Sequence, residues 1–391
     1  MQTANAPLSL YVHIPFCATK CTYCAFNTYV DMHSLIPVYL DALAREIEGV
    51  GEEAGNARAH TVFFGGGTPS LLLPDQIARI LATIDSSYRL DVDAEITLEA
   101  NPNDLTLPYL KMLRAAGVNR LSIGMQSASN EDLRLFDRRH DVASVIDSVG
   151  AARTAGFDNL SLDLIYGAPA QTLDRWDSTL DLALSLVPEH LSLYALTLES
   201  GTPMRAAVET GHLATPDDDL AADMYELASE RLGAAGYAQY EISNWARSGY
   251  ASRHNLQYWL NLPYLGFGPG AHGFAGGVRY SVVLSPARYI KALAGGGRSG
   301  YRFPVSPAVA EASDVGQEQE ISETLMMGMR LTERGIIREE FRQRFGVDLL
   351  DLHGTALNRF QQQGLVEIDE DRIMLSTRGR LLSNIVLREF V

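Results

Sequence analysis

The sequence predicts an α/β fold built on a mainly parallel sheet, and three observations carry that expectation. Six short runs rich in β-branched and aromatic residues recur through the first half, at 8–16, 61–64, 95–100, 120–126, 159–166 and 190–198. Stretches with helical spacing separate them, among them 35–50, 74–84, 143–155 and 172–186. Strands alternating with helices make βα units, whose strands lie parallel. Several runs, such as 160–165, are nearly continuous apolar stretches, as expected of strands covered on both faces. Six such units suit an open partial barrel or a doubly wound sheet, and spacing alone leaves both open.

In either arrangement reactive groups belong where strands end and loops begin. Cys17 follows the first strand, Gly65-Gly66-Gly67-Thr68-Pro69 the second and Glu99-Ala100-Asn101-Pro102 the third. Gln126 ends the fourth strand and Asp163 lies on the fifth. A second region starts near Tyr240 with an aromatic stretch to Trp245, then runs Gly-rich through Gly277. A linker is expected at 295–297 and on to Pro307. From about Gln317 the order reads helix, helix, helix and a short β element near 367–375, which resembles a winged helix. The expected divisions are therefore a barrel over 1–236, a connecting region over 237–316 and a winged-helix-like α+β unit over 317–391.

Composition narrows the function classes. With 391 residues and 46% hydrophobic side chains, the chain can bury a sizeable core, which excludes disorder for most of its length. Thirty-two basic against 48 acidic side chains give a net charge of −16, which argues against sequence-independent binding to DNA or anionic lipid. From Glu318 onward ten arginines face thirteen acids, so the wing carries no basic footprint and no nucleic-acid partner is expected. The longest uncharged run, 254–278, contains Pro263, Pro269 and six glycines and cannot form a simple spanning helix. The first six residues lack the charged start and apolar stretch of a secretory signal. Three cysteines, all between Cys17 and Cys24, make no disulfide framework. A soluble protein of a reducing cytoplasm is the expectation.

Cys17, Cys21 and Cys24 form C-x3-C-x2-C on the loop after the first strand. Thiolates are soft ligands that suit iron–sulfur clusters, zinc and copper(I). Structural zinc usually has four protein ligands, so three close cysteines point instead to a [4Fe-4S] cluster with one iron open. A zinc site completed by a histidine such as His13 is the plainer alternative. With Tyr23 before the third cysteine, the triad resembles the signature of the radical S-adenosylmethionine superfamily. That resemblance implies a partial (β/α)6 barrel whose open iron chelates S-adenosylmethionine (SAM), which one electron cleaves to a 5′-deoxyadenosyl radical. Gly65-Gly66-Gly67-Thr68-Pro69 resembles the family's GGTP loop, whose backbone holds the methionine part of the cofactor; glycine permits close approach there.

Longer strings narrow the resemblance. Tyr11-Val-His-Ile-Pro-Phe-Cys17, Glu99-Ala-Asn-Pro, Gly124-Met-Gln126-Ser, Arg138 and Asp163-Leu-Ile-Tyr-Gly167 resemble the group containing the oxygen-independent coproporphyrinogen III oxidases (HemN) and the HemW heme chaperones. The likeness runs from about Leu8 to the C-terminus. It implies that Tyr11, Gly67, Thr68, Glu99, Gln126, Arg138 and Asp163 line the SAM pocket. Acids there would accept from ribose hydroxyls or the amino group, and an arginine would neutralise a carboxylate. Taken singly, Glu99 and Asp163 also read as strand-end caps, and Arg138 as a solvated helix charge.

Two features separate the members of this group. The oxidase pattern has a fourth cysteine two positions after the third and a longer stretch before the cluster. Here Phe26 occupies that position and the first cysteine is already residue 17. His254-Asn255-Leu-Gln-Tyr258-Trp259 resembles the H-N-x-x-Y-W motif of the chaperone branch. Histidine is a natural axial ligand for heme iron and aromatic rings suit a flat macrocycle, which makes His254 a candidate heme ligand, with His272 and His13 behind it. Packing of His254, Tyr258 and Trp259 in the core is the alternative. The resemblance thus implies a heme carrier that serves acceptor hemoproteins, respiratory enzymes among them, and lacks coproporphyrinogen decarboxylation; the oxidase is the competing reading. Gly266-Phe-Gly268-Pro-Gly270-Ala271 matches a dinucleotide-binding fingerprint, but Pro269 interrupts it and no acid follows at the required distance.

Overall fold

In the first strand, Leu8–Ile14 (β1), every residue except Tyr11 is buried, so both of its faces are covered, as the apolar run requires. The computed structural model describes residues 7–295 and 300–390. Part of the expected linker, Gly296 and Gly297, lies outside the described residues, as do 1–6 and Val391. β2 (Arg58–Gly66), β3 (Arg89–Ala100), β4 (Arg120–Gln126), β5 (Leu160–Tyr166) and β6 (His190–Ala195) follow, each parallel to its predecessor. Helices including Ile36–Glu53, Pro74–Ser87, Val142–Thr154 and Leu173–Ser185 make the crossovers. β3 begins at Arg89 and not at 95: in its first five residues Leu90 and Val92 alternate with charged residues and none is buried, so this stretch lacks the apolar run that marks the rest of the strand.

β1 to β6 lie side by side in chain order with no reversal, and β1 and β6 do not pair. That excludes the doubly wound alternative, whose order must reverse at a switch point. The sheet is an open partial barrel. β7 (Ala238–Glu241) and β8 (Asn244–Ala246) extend it beyond β6. β9 (Tyr264–Phe267) joins parallel to β1, and β10 (His272–Ala275), β11 (Val278–Val282) and β12 (Val309–Asp314) continue antiparallel beyond it. The region read as connecting barrel and wing therefore lengthens both edges of one twelve-stranded sheet.

The C-terminal unit has its own core, in which Leu325, Phe341, Leu357, Ile373 and Val386 are buried together. Three helices, Gln317–Gly328, Arg338–Phe345 and Leu349–Gln362, accompany a small sheet of β13 (Ile336–Ile337), β14 (Val366–Ile368) and β15 (Arg372–Leu375). β13, two residues long, is too short to leave a pattern. Arg344 anchors this unit to the barrel by donating to the carbonyls of Leu260 (3.2 Å) and Asn261 (2.7 Å).

The glycines of the rejected dinucleotide string have a packing role. Gly268 has φ +92°, and a Cβ there would lie 2.6 Å from the His13 carbonyl oxygen. Its amide donates to Glu46 (2.9 Å), which also accepts from the hydroxyls of Tyr289 (2.7 Å) and Ser306 (2.6 Å). Burial pushes the Glu46 carboxyl up, and the Ser306, Tyr289 and Gly268 donors pull it back. Glu46→Ala strands three buried donors and is expected to cost about 3 kcal/mol of stability. Urea unfolding followed by tryptophan fluorescence measures it; a loss below about 1 kcal/mol would show that water replaces the carboxylate.

Candidate functional site

Along β4 the side chains alternate. Leu121, Ile123 and Met125 pack in the hydrophobic core, while Arg120, Ser122, Gly124 and Gln126 line a cavity of about 620 Å³. This cavity runs from the cysteine loop down the inside of the barrel to His254. All three cysteines line it and none is disulfide-bonded. The Cys17 amide donates to the Tyr29 carbonyl (3.0 Å), and the Cys24 amide donates to the Cys21 carbonyl (3.2 Å), closing the turn between them. Burial pushes the Cys17 and Cys24 thiols up, while the Thr68 hydroxyl, 3.4 Å from the Cys17 sulfur, pulls that thiol back.

Among the described residues no group of three or more His, Cys, Asp or Glu is close enough to grip a single metal ion. A cluster asks for a different layout, one thiolate for each of three irons, and three free thiols on one cavity wall fit it. Arg138 adds a cation: it donates to the Cys21 sulfur (3.5 Å) and to the Gly124 carbonyl (3.2 Å). Its guanidinium therefore sits beside the thiols, where it can offset the negative charge of thiolates.

The loop after β2 is clamped to the end of β1. The amides of Gly67 and Thr68 donate to the carbonyls of Ile14 and Phe16, both at 2.8 Å. A Cβ on Gly67 would lie 2.6 Å from the Phe16 oxygen, and one on Gly66, at φ +110°, would strike the His13 ring at 2.6 Å. These glycines are needed first for the close approach of two backbones and a histidine, a reason distinct from cofactor access.

Two carboxylates face each other's charge inside the barrel. Glu99 accepts from the Gly66 amide (3.2 Å), and burial together with Asp163 raises its carboxyl to about 7. Asp163 accepts from Ser122 (2.9 Å) and is raised by burial to about 6, with Ser122 and Arg120 opposing the rise. Arg120, only 2% exposed, supplies the buried positive charge nearby. Sequence reading missed Arg120, Ser122, Ser192 and Tyr194 on this wall. The signal was present as a period of two: Arg120, Ser122, Gly124 and Gln126 in β4, and His190, Ser192 and Tyr194 in β6. Gln126 itself is held at φ +65°, at the turn where its strand ends.

Tyr11 lines the same cavity and bonds His13 Nδ1 (3.0 Å), while His13 Nε2 lies 3.0 Å from the Asn27 carbonyl. His254, read as a candidate heme ligand or as a core residue, is packed in the way the second reading describes. It is 1% exposed, with Nδ1 at 2.8 Å from the Thr61 hydroxyl and Nε2 at 2.9 Å from the Tyr258 hydroxyl, so neither nitrogen is free for iron. Burial, aided by His60 and Arg120, lowers it to about 3 and keeps it neutral. Its helix, Arg253–Trp259, plugs the barrel from below, with the amides of Arg253 and His254 donating to Glu95. Asn255 and Tyr258 of the motif reach the cavity wall.

The radical SAM superfamily profile matches residues 11–183, and the HemN C-terminal domain profile matches 315–382. The heme chaperone HemW of Bacillus subtilis is 38% identical over 98% of this chain and 99% of its own length. The chain belongs to the HemW family. The HemW of Mycobacterium tuberculosis is likewise 38% identical, over 98% of this chain and 94% of its own length. The mouse mitochondrial radical S-adenosyl methionine domain-containing protein 1 is 36% identical, over 97% and 86%. The Escherichia coli coproporphyrinogen III oxidase HemN superposes with a TM-score of 0.84 at 26% identity, covering 100% of this chain and 92% of that one. This HemW-family chain thus has the oxidase's architecture, with Phe26 where the oxidase pattern places a fourth cysteine.

Proposed function

We propose that the chain is a heme chaperone, which binds heme and passes it to acceptor hemoproteins while carrying a [4Fe-4S] cluster and SAM. The observation that carries this reading is kinship with HemW proteins over nearly the whole length, with three free thiols at the mouth of the barrel. Cys17, Cys21 and Cys24 would hold the cluster. Tyr11, Gly67, Thr68, Glu99, Gln126, Arg138 and Asp163 would line the SAM site. Bound there, cluster and SAM would supply one-electron chemistry at the sulfonium. The protein's part is to present Glu99 and Asp163 as acceptors to amino and hydroxyl donors on the cavity wall.

No helix among the described residues is long and apolar enough to cross a membrane. With free thiols and a charge of −16, the chain fits a reducing cytoplasm and reaches acceptors, respiratory enzymes among them, by protein contacts and not by lipid electrostatics. Anaerobic heme titration of the cluster-reconstituted protein, followed through the Soret band, tests the reading. Saturation at about one heme per chain is expected; absence of saturable binding would overturn it. The oxidase fold gives the competing activity a specific basis. Incubation with coproporphyrinogen III, SAM and a reductant is expected to give no porphyrin fluorescence.

A further inference from the structure

A second cavity, about 440 Å³, opens beside the first and shares Tyr11, Phe26 and Tyr258 with it as walls. Its lining brings together elements far apart in the chain: Phe26 from the cysteine loop, Trp259 from the plugging helix, Tyr264 from β9, His272 from β10 and Met327 from the C-terminal unit. Phe26 is 70% exposed, next to the cluster loop, where a large apolar side chain gains nothing from water. The size falls within the range of sites for organic cofactors.

The chemistry of this groove is specific. His272 is exposed, and among the described residues its imidazole makes no hydrogen bond, whereas both ring nitrogens of His13 and of His254 are engaged. Met327 offers a thioether, the other soft axial ligand that heme iron accepts. The indole N–H of Trp259 and the Nε–H of Arg279 are buried without a partner. Both side chains line the groove, and the Arg279 cation is of the kind that pairs with carboxylates such as the propionates of heme. Arg279 Nη2 also donates to Glu323 (2.6 Å), which already offsets part of its charge.

We propose that this groove is the heme seat, with His272 as an iron ligand and Met327 on the facing element. The proposal rests on the heme-carrier reading and relocates its cargo from the buried H-N-x-x-Y-W helix to the groove that helix helps to wall. Heme there would lie against Phe26, Tyr11 and Tyr258, the partition it shares with the cluster cavity.

The test is anaerobic hemin titration of the cluster-reconstituted chain and its His272→Ala and Met327→Leu variants, with electron paramagnetic resonance reporting the axial ligands. His272→Ala is expected to weaken binding about tenfold or more and to lose the histidine-ligated signature, which added imidazole restores. Met327→Leu is expected to keep the histidine and change the second axial position. Metal-free protoporphyrin is expected to bind the wild type and His272→Ala alike. If His272→Ala keeps wild-type affinity and spectrum, while His254→Gln loses ligation with its circular dichroism intact, the groove assignment falls and the carrier reading stands. If the wild type binds no hemin, both fall.

Discussion

Replacing Cys21 with alanine is expected to abolish the broad iron–sulfur absorbance of the anaerobically reconstituted protein, and to drop bound iron from about four per chain to below one. Each cysteine would hold a different iron, so losing one leaves two thiolates and an iron with no protein ligand. Cys21 is the most informative of the three to remove. Its sulfur takes one hydrogen bond, from Arg138, and it is less buried than Cys17, so alanine disturbs little packing. Unchanged circular dichroism would confirm that the fold survives. Four irons retained by the variant would refute the ligand assignment. Because burial raises the Cys17 and Cys24 thiols, cluster assembly must also displace protons. Reconstitution should therefore speed up as the pH rises. Heme titration of Cys21→Ala then separates two roles of the cluster: undiminished binding means that heme docks without it.

Most of the barrel was legible because its signal is local. The run at 120–126 coincides with β4, and every other predicted strand overlaps an observed one, since an apolar stretch between helices has few alternatives. The placement of Cys17, Gly67, Glu99, Gln126 and Asp163 on one cavity followed from parallel topology, which sends all the strand ends the same way. What local signal could not give was long-range. β9 pairs with β1, more than 250 residues earlier, and the glycines in and after it look like a nucleotide loop until the His13 carbonyl and Glu46 are seen against them. His254 was open to two readings for the same reason. An imidazole in an aromatic motif is equally suited to iron and to a buried hydrogen-bond pair, and only the fold brings Thr61 within 2.8 Å. His272 carries no motif at all. Its exposure and its neighbours Met327 and Trp259 exist only once the C-terminal unit is docked.

Lowering the pH from about 7.5 to about 5.5 is expected to weaken SAM binding by about 25-fold if Glu99 alone must be ionised, and by about a hundredfold if Asp163 must be as well. These figures follow from carboxyls raised to about 7 and about 6, which are largely ionised at the upper pH and largely protonated at the lower. Only the ionised forms accept from both an ammonium and a hydroxyl without giving up an acceptor. Stability of the ligand-free protein should move the opposite way. Both acids are raised above their ordinary values of 4.5 and 3.8, so between about pH 4 and 7 the native state binds more protons than the unfolded chain, and stability falls as pH rises. For Glu99 the full effect is up to about 3 kcal/mol, complete above pH 7. Glu99→Gln keeps an acceptor for the Gly66 amide and removes the buried charge. At pH 8 this variant should melt higher than the wild type without ligand, yet bind SAM more weakly and with a pH profile that retains only the step near 6. Isothermal titration with SAM and thermal melts across this range measure both. A flat wild-type binding profile would show that neither carboxylate carries its charge to the cofactor, and a variant that melts lower at pH 8 would show that the buried Glu99 charge does not cost stability. The two acids interact, so the two observed steps belong to the pair, and a single broadened transition that Glu99→Gln sharpens would count in favour of the coupling.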